Sequence, residues 1–236
     1  MTSSNPKFIP LFINVENLRV LVIGGGMVGT KRALMFRDAR AKVTVAAREF
    51  SEELKSRHDI DLITINLPGD MEVLKEIIMR HDIVVVALSD EDLAKRISSM
   101  VLAMGKLVNN TVNHSDGNVI VPFRGAAQGL HIAVTSMGAT GLAARIALNK
   151  AIKMIDSDIE VKAIIKAMGK LKALIREKVR DHKVRMSIYD SIANDVEFRS
   201  LASKGEWAAA YLRGLKIIES YNIPLNPSYY QISDSS

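Results

Sequence analysis

Residues 18–36, LRVLVIGGGMVGTKRALMF, contain the pattern that decides the fold. The nearly continuous apolar run from Leu18 to Ile23 predicts a strand buried on both faces, and the residues from Val28 to Phe36 have helical spacing. Three glycines separate these elements, and Gly29 completes the pattern G-x-G-x-x-G. In a strand–turn–helix unit such glycines let the backbone approach a pyrophosphate at the helix N-terminus. The stretch predicts the first unit of a dinucleotide-binding sheet. The alternative is a glycine turn needed only for close strand–helix packing.

The alternation of strands and helices continues to about residue 111. We predict further strands at 42–47, 62–66, 82–88 and 106–111, and helices at 71–80 and 90–104. Strands that alternate with helices form parallel sheets with right-handed crossovers. The sequence therefore predicts an α/β fold with a doubly wound, Rossmann-like parallel sheet.

A different pattern follows residue 112. Two strands are predicted at 118–123 and 130–136, joined by a turn at 124–129, and a helix at 140–155. The chain beyond residue 158 is predicted to be helical, with an apolar stripe that includes Leu171 and Ile175 and a last helix at 206–221. We predict four parts: a nucleotide-binding domain at 1–112, a small α+β segment at 113–155, a helical domain at 156–222 and a tail at 223–236.

Composition excludes several classes of site. The chain has 236 residues, no cysteine and only five scattered histidines, which excludes thiolate catalysis, disulfides and iron–sulfur clusters. We expect no permanently bound metal. The N-terminal residues have no apolar run of signal-peptide length, and the longest apolar run, Ile83–Leu88, is too short to span a membrane. We therefore expect a cytoplasmic protein without membrane association.

The net charge of +6 is concentrated in one region. Residues 162–185 contain nine lysines and arginines but only two acidic residues, Glu177 and Asp181. A solvated helix face is one interpretation, and attraction of an anionic small molecule is another. Nucleic acid is not expected as a partner, because aromatic residues make up only 5% of the chain and none lies within the basic run as a stacking platform.

The residues after the second strand bear on the choice of dinucleotide. Glu49 lies 20 residues beyond Gly29, where an acidic residue typically binds the ribose 2′-hydroxyl of NAD. The adjacent Arg48 could instead bind the 2′-phosphate of NADP. Glu49 favours NAD.

Several motifs together resemble one known family. PLFI at 10–13, VLVIGGGMVGTKRA at 20–33 and AKVTVAA at 41–47 are similar to the precorrin-2 dehydrogenases, the N-terminal module of siroheme synthases. The likeness continues in VVVALSDEDLAKRI at 84–97, LVN at 107–109 and the stretch 119–146. An early GGGxVxxKR combined with a later IAVTSxGxT…AR is much more specific than the glycine pattern alone.

The resemblance implies an activity and an assembly. It implies an NAD-dependent oxidoreductase of siroheme (porphyrin) biosynthesis that oxidises precorrin-2 to sirohydrochlorin. Some members are also ferrochelatases, for which iron(II) would be a transient partner. It also implies a homodimer formed through the central segment at 113–155, which would also bind substrate. The basic region at 162–185 would then attract the anionic tetrapyrrole.

The resemblance also implies roles for particular residues. Met27 and Val28 would lie at the pyrophosphate, Arg48 and Glu49 near the adenosine ribose, and Ser136 in the substrate cleft. The helix that begins near Thr140 offers free N–H groups for a substrate carboxylate. The full set of predicted cofactor-binding residues is Gly24, Gly25, Gly26, Met27, Val28, Gly29, Arg48, Glu49, Ala87, Leu88, Ser89, Asp90 and Asn109.

One position departs from the family pattern. The family has an aspartate three residues after the asparagine of LVN, where this chain has Val112. Valine cannot accept a proton, so His114 or Asp116 would have to replace it as the catalytic residue. Alternatively, these two residues only form a polar turn. The protein would then be a non-catalytic sensor or carrier that binds NAD or a tetrapyrrole. Chelation without dehydrogenation would need metal ligands that the sequence does not offer.

Overall fold

The computed structural model describes residues 8–231, which form two compact units. The first contains the residues up to Pro122 together with Thr135–Gly141, and the second contains Phe123–Val134 and the residues from Leu142 onward. The predicted four-part division stays a prediction. Its first residues, 1–7, and the last part of its tail, 232–236, lie outside the described residues.

The first unit contains a five-stranded sheet that confirms the predicted fold class. All its strand pairs are parallel, and the order β3-β2-β1-β4-β5 reverses direction between β1 and β4. In open α/β sheets, ligands bind at the carboxyl ends of the strands beside such a reversal. The strands are β1 Arg19–Ile23, β2 Lys42–Ala47, β3 Asp61–Thr64, β4 Ile83–Val86 and β5 Leu107–Asn110.

Two apolar layers cover the faces of this sheet. Alternate residues of β1 face opposite layers, with Leu21 and Ile23 in one and Val20 and Val22 in the other, and all four are fully buried. Burial of a Val, Leu or Ile side chain contributes about 1.5–3 kcal/mol, so both layers stabilise the sheet substantially. The helices of this unit are α1 Met27–Asp38, α2 Glu52–Lys55, α3 Met71–Met79 and α4 Glu91–Ala103.

A buried histidine joins two of these elements. The Nδ1 atom of His81 lies 2.7 Å from the carbonyl oxygen of Ile77, and its Nε2 lies 3.0 Å from Oγ1 of Thr44 on β2. Because a carbonyl oxygen only accepts, Nδ1 carries the proton of the neutral ring and Nε2 accepts from Thr44. Burial lowers the pKa of His81 below its ordinary value of 6.5.

This histidine is expected to make stability depend on pH. In the unfolded chain His81 binds a proton near pH 6.5, whereas in the folded chain its pKa is lower and it stays neutral. The contribution of neutral His81 to the free energy of unfolding is therefore complete above pH 6.5 and decreases as the pH falls below it. In urea unfolding between pH 8 and pH 5.5, His81→Gln should remove this decrease. The same substitution at the exposed His58 serves as the control. Equal pH dependence in the wild type and His81→Gln would contradict this explanation.

The second unit contains a hairpin and a set of helices. Strands β6 Phe123–Ala127 and β7 Leu130–Val134 pair antiparallel around a turn in which Gln128 and Gly129 have positive φ. Aspartates cap three of the helices, and Leu171 and Ile175 of the predicted apolar stripe are fully buried. None of the helices among residues 8–231 is long and apolar enough to cross a membrane. The helices are α5 Gly141–Ser157, α6 Ile159–Lys178, α7 His182–Asn194, α8 Val196–Ser203 and α9 Trp207–Glu219.

The predicted strand at 118–123 is wrong. The N–H groups of Asn118 and Val119 both donate to the carbonyl oxygen of Val108 on β5, each at 3.0 Å. The side-chain amide of Asn109 donates to the carbonyl oxygen of Val119 at 2.9 Å. This stretch is therefore tied to β5, and β6 begins only at Phe123, after a proline that has no N–H to donate.

Candidate active site

A cavity of about 630 Å³ lies at the carboxyl ends of the parallel strands in the first unit. Its volume is within the usual range of about 300–1,000 Å³ for small-molecule sites. Segments that follow all five strands contribute to its wall. The lining residues are Gly24–Val28, Ala46–Glu49, Ile65–Pro68, Ala87–Asp90, Leu93, Thr111 and Val112.

Gly24, Gly25 and Gly29 are required by packing within the protein. A Cβ atom at Gly24 would lie 2.2 Å from the carbonyl oxygen of Ala87, and one at Gly25 would lie 2.2 Å from that of Glu49. At Gly29 it would lie only 1.9 Å from the carbonyl oxygen of Gly24. Gly24 also has φ +117°, which disfavours a side chain. Gly29 does not line the cavity, and its predicted role in cofactor binding stays a prediction.

Gly26 is different, because no contact with the described residues 8–231 requires glycine there. Its φ of −78° and ψ of −171° are open to any residue, and a Cβ atom there would meet no atom within 4 Å. Gly26 nevertheless lines the cavity. A side chain at this position would therefore extend into the cavity beside the glycine loop, where the pyrophosphate of a dinucleotide would lie.

The N-terminus of α1 has the features of a phosphate-binding turn. Gly26 is its N-cap residue and provides no side-chain hydrogen bond, and the first turn contains no acidic residue. Met27 and Val28 line the cavity and are 71% and 44% exposed. Free N–H groups and the helix dipole at such an end favour an anion. A pyrophosphate is the anion that a glycine loop on the first strand accommodates.

Arg48 and Glu49 lie together after β2 and both line the cavity. Arg48 Nε and a Glu49 carboxylate oxygen are 3.6 Å apart, and both side chains are largely exposed. The two residues thus lie in the cavity wall and form an ion pair with each other, and their predicted place beside an adenosine ribose stays a prediction. The preference for NAD over NADP stays a prediction.

The segment after β4 supplies the predicted residues Ala87–Asp90 to the cavity wall. Asp90 is the N-cap of α4, and its carboxylate accepts the N–H of Leu93 at 3.0 Å. This bond holds the carboxylate at the helix terminus, where its negative charge is stabilised by the dipole.

Other lining residues were not found by sequence reasoning. The segment Ile65–Pro68 follows β3 and forms part of the cavity wall, as do Leu93 and Thr111. The segment Ile65–Pro68 could have been predicted from the strand pattern, because residues that follow the carboxyl ends of strands near the reversal typically line the ligand site. Asn109, whose role in cofactor binding stays a prediction, is 4% exposed and absent from the wall, and its Oδ1 atom has no hydrogen-bond partner among residues 8–231.

Val112 occupies an informative place in this wall. It lines the cavity and is 41% exposed, so the position where the family has an aspartate presents an apolar side chain. Oδ1 of Asn110 accepts the N–H groups of Val112 and Asn113, at 2.9 and 3.0 Å, which fixes this loop. These two hydrogen bonds within the loop hold the backbone at Val112 in place.

His114 lies against a second loop, outside the cavity wall. A short 3₁₀ helix, His114–Asp116, follows β5, and the imidazole of His114 occupies the place where a side chain of Gly138 would be, only 2.1 Å from its Cβ position. Gly138 belongs to the turn after β7, in which Oγ of Ser136 accepts the N–H of Thr140 at 2.9 Å. Three predicted residues, His114, Ser136 and Thr140, therefore lie on two neighbouring loops, and Asp116 lies half-buried on the first of them.

These residues fit a dinucleotide and offer no resident metal site. The open space at Gly26 and the free N-terminus of α1 suit a pyrophosphate, and the exposed pair after β2 suits a ribose. Among residues 8–231 no cluster of three or more His, Asp or Glu side chains could hold a metal ion. The residues of the cavity wall therefore suit NAD(P), which backbone groups of the glycine loop would bind.

Comparison with known proteins agrees with this geometry. The family model NAD_binding_7, described as "Putative NAD(P)-binding", matches residues 11–123. The protein named "Putative precorrin-2 dehydrogenase" from Methanocaldococcus jannaschii is 28% identical over 204 residues, covering 83% of this chain and 95% of that protein. A "Siroheme synthase" from Mannheimia succiniciproducens is 25% identical over 91% of this chain, which spans only 44% of that longer protein.

A solved structure supports the fold over nearly the whole chain. The structure titled "SirC, precorrin-2 dehydrogenase" superposes with a TM-score of 0.61 at 20% identity and covers 91% of this chain and 100% of its own. The family resemblance seen in the motifs is confirmed. The glycine loop at a dinucleotide cavity, the NAD(P)-binding match and the relatives along the chain agree: over most of its length the chain is similar to proteins named precorrin-2 dehydrogenase.

Proposed function

We propose that this protein is an NAD-dependent precorrin-2 dehydrogenase that produces sirohydrochlorin for siroheme biosynthesis. The observation that carries the proposal is Gly26, which lines the cavity at the N-terminus of α1 and whose Cβ position has no atom of residues 8–231 within 4 Å. The names of relatives that align with most of this chain support the choice of substrate.

The reaction removes a hydride and a proton from precorrin-2. NAD, when bound, would accept the hydride and become NADH. The protein must position the cofactor, which the glycine loop and the segment Ala87–Asp90 would do. It must also accept the proton that leaves precorrin-2. The apolar Val112 in the cavity wall would exclude water beside the hydride path without taking part in proton transfer.

For the proton, we propose that His114 is the acceptor and that Asp116 assists it. The imidazole of His114 carries two ring nitrogens suited to proton transfer, and its place against Gly138 puts it beside the loop of Ser136 and Thr140. Ser136 and the N-terminus of α5 would bind carboxylates of the tetrapyrrole. This arrangement would move proton transfer by a few residues from the position of the family aspartate.

His114→Ala is expected to lower kcat at least about 100-fold, because a positioned acid or base contributes roughly 10²–10⁴-fold. Asp116→Ala should lower kcat less, and neither variant should change the Kd of NAD, since neither residue lines the cavity. Anaerobic steady-state assays with precorrin-2 would measure this, with His58→Ala as the control. Unchanged kcat in both variants would remove these residues from the mechanism.

Several properties belong to the same proposal. We propose that the protein works as a homodimer in the cytoplasm. The tetrapyrrole carboxylates would be attracted by the basic residues of α6, and iron(II) would be a transient substrate of any chelation step. Exposed apolar residues on the hairpin and α5, such as Phe123, Leu130 and Ile146, support a contact between subunits.

The apolar residue at position 112 favours one rival, a protein that binds NAD or tetrapyrrole without catalysis. Turnover decides between the two. Purified protein would be incubated anaerobically with freshly generated precorrin-2, once with NAD and once with NADP, and sirohydrochlorin followed by its visible absorption. We expect turnover that is faster with NAD. Binding of NAD without any sirohydrochlorin would overturn the dehydrogenase and establish the rival.

A further inference from the structure

A chain of hydrogen bonds through the side-chain hydroxyls of Thr30 and Ser51 connects the glycine loop with the start of α2, outside the cavity. Thr30 on α1 is 3% exposed, and its Oγ1 atom lies 2.9 Å from the carbonyl oxygen of Gly26 and 2.8 Å from Oγ of Ser51. Ser51 follows Arg48–Phe50 and is the N-cap of α2, where its Oγ lies 3.3 Å from the N–H nitrogen of Leu54. Neither Thr30 nor Ser51 lines the cavity.

The partners at its two ends fix the direction of this chain. The carbonyl oxygen of Gly26 only accepts, so the hydroxyl of Thr30 must donate to it. Thr30 has then used its only proton, so Ser51 donates to Thr30. Ser51 in turn accepts the N–H of Leu54. Every hydroxyl donates once and accepts once, and bonds aligned in one direction strengthen one another.

The chain ends on the peptide group that would contact a pyrophosphate. In a planar trans peptide the C=O and N–H groups point in opposite directions, so fixing the carbonyl of Gly26 also fixes the N–H of Met27. Met27 lines the cavity at the first turn of α1. A second bond, from the N–H of Ser51 to the carbonyl oxygen of Gly25 at 3.1 Å, ties the same two segments together.

We infer that Thr30 and Ser51 are positioning residues that hold the glycine loop at a fixed distance from the segment Arg48–Glu49. The glycine loop would bind the pyrophosphate, and the segment Arg48–Glu49 would lie beside the adenosine ribose. The inference rests on the proposed function, because it requires a ligand that spans both segments. Since the two hydroxyls do not reach the cavity, they act only through the backbone that they hold.

The test compares single and double variants. Thr30→Val and Ser51→Ala should each weaken NAD binding about five- to tenfold, the effect of about 1–1.4 kcal/mol for one lost hydrogen bond. The double variant should bind about as well as either single variant, because one break already disconnects the chain. Thr30→Ser keeps the hydroxyl and should restore NAD binding. Calorimetric titration with NAD, at a temperature where circular dichroism shows each variant folded, gives these values.

Ser56→Ala is the matched control. Ser56 ends α2, and its exposed hydroxyl donates to the carbonyl oxygen of Glu53, so its loss removes a hydroxyl from the same helix outside the chain. NAD binding should not change. Effects in Thr30→Val and Ser51→Ala no larger than in this control would overturn the inference.

Ligands of different length separate positioning from general weakening of the domain. ADP and NAD reach from the ribose segment to the glycine loop, whereas adenosine contacts only one of them. We expect Ser51→Ala to weaken ADP and NAD alike and to leave adenosine binding unchanged. An equal loss for adenosine would mean that the hydroxyls only stabilise the fold. If the wild type itself binds no NAD, the proposed function fails. If the wild type binds NAD and the variants bind it equally well, only the inference about Thr30 and Ser51 fails.

Discussion

Gly26→Leu is expected to abolish NAD binding, weakening it at least about 100-fold, which corresponds to about 2.7 kcal/mol. The new side chain would enter the cavity at the N-terminus of α1, where the pyrophosphate is expected. The fold should be retained, since the backbone of Gly26 is in an ordinary conformation and its Cβ position has no neighbour within 4 Å. Calorimetric titration with NAD and thermal unfolding measure the two effects separately.

Gly169→Leu provides the matched control for this experiment. Gly169 is an exposed residue of α6, and a Cβ atom there also meets nothing within 4 Å. The same change in size should leave NAD binding intact, since Gly169 is outside the cavity wall. Retained NAD affinity in Gly26→Leu would contradict the assignment of this cavity to the cofactor.

Gly29→Ala should lower the free energy of unfolding by about 3 kcal/mol, although alanine is a better helix former than glycine. The added Cβ atom would lie 1.9 Å from the carbonyl oxygen and 2.9 Å from the carbonyl carbon of Gly24. These are backbone atoms of the loop itself and cannot rotate away as a flexible side chain would. The close packing of α1 on β1 would have to open.

Gly169→Ala is expected to have the opposite sign. In the open interior of α6 the substitution follows intrinsic helix propensity and should raise the free energy of unfolding by about 1 kcal/mol. Urea unfolding of both variants, followed by circular dichroism, provides the comparison. If Gly29→Ala were as stable as Gly169→Ala, the tight contact between Gly29 and Gly24 would not be what requires glycine there.

The sequence predicted the parallel sheet well because its strands are short apolar runs bounded by turns. Strand β2 was predicted at its observed bounds, Lys42–Ala47, because its apolar pattern fits a strand and no other element. The stretch 118–123 has an equally apolar pattern, yet it is held by Val108 and Asn109 of β5. Nothing local distinguishes a strand from an extended segment tied to a neighbour. Helix α2, which sequence reasoning missed, has only four residues and owes its start to Ser51.

Sequence reasoning named cavity-lining residues where they belong to one local motif and missed those that depend on tertiary structure. Gly24–Val28 and the predicted residues after β2 and β4 line the cavity, whereas Gly29 does not. The wall formed by Ile65–Pro68 follows from the strand order, which places the end of β3 beside β2. The approach of His114 to Gly138 joins loops separated by a strand hairpin, and no spacing in the sequence encodes that distance. The proposed roles of His114, Asp116, Ser136 and Thr140 stay predictions.

The most direct measurement is anaerobic turnover of precorrin-2 by the wild type and Gly26→Leu, with sirohydrochlorin and NADH quantified in the same sample. We predict that the wild type forms the two products in equal amounts and that Gly26→Leu forms neither. A wild type that binds NAD but forms no sirohydrochlorin would contradict the central claim, as would sirohydrochlorin formation that survives the loss of NAD binding.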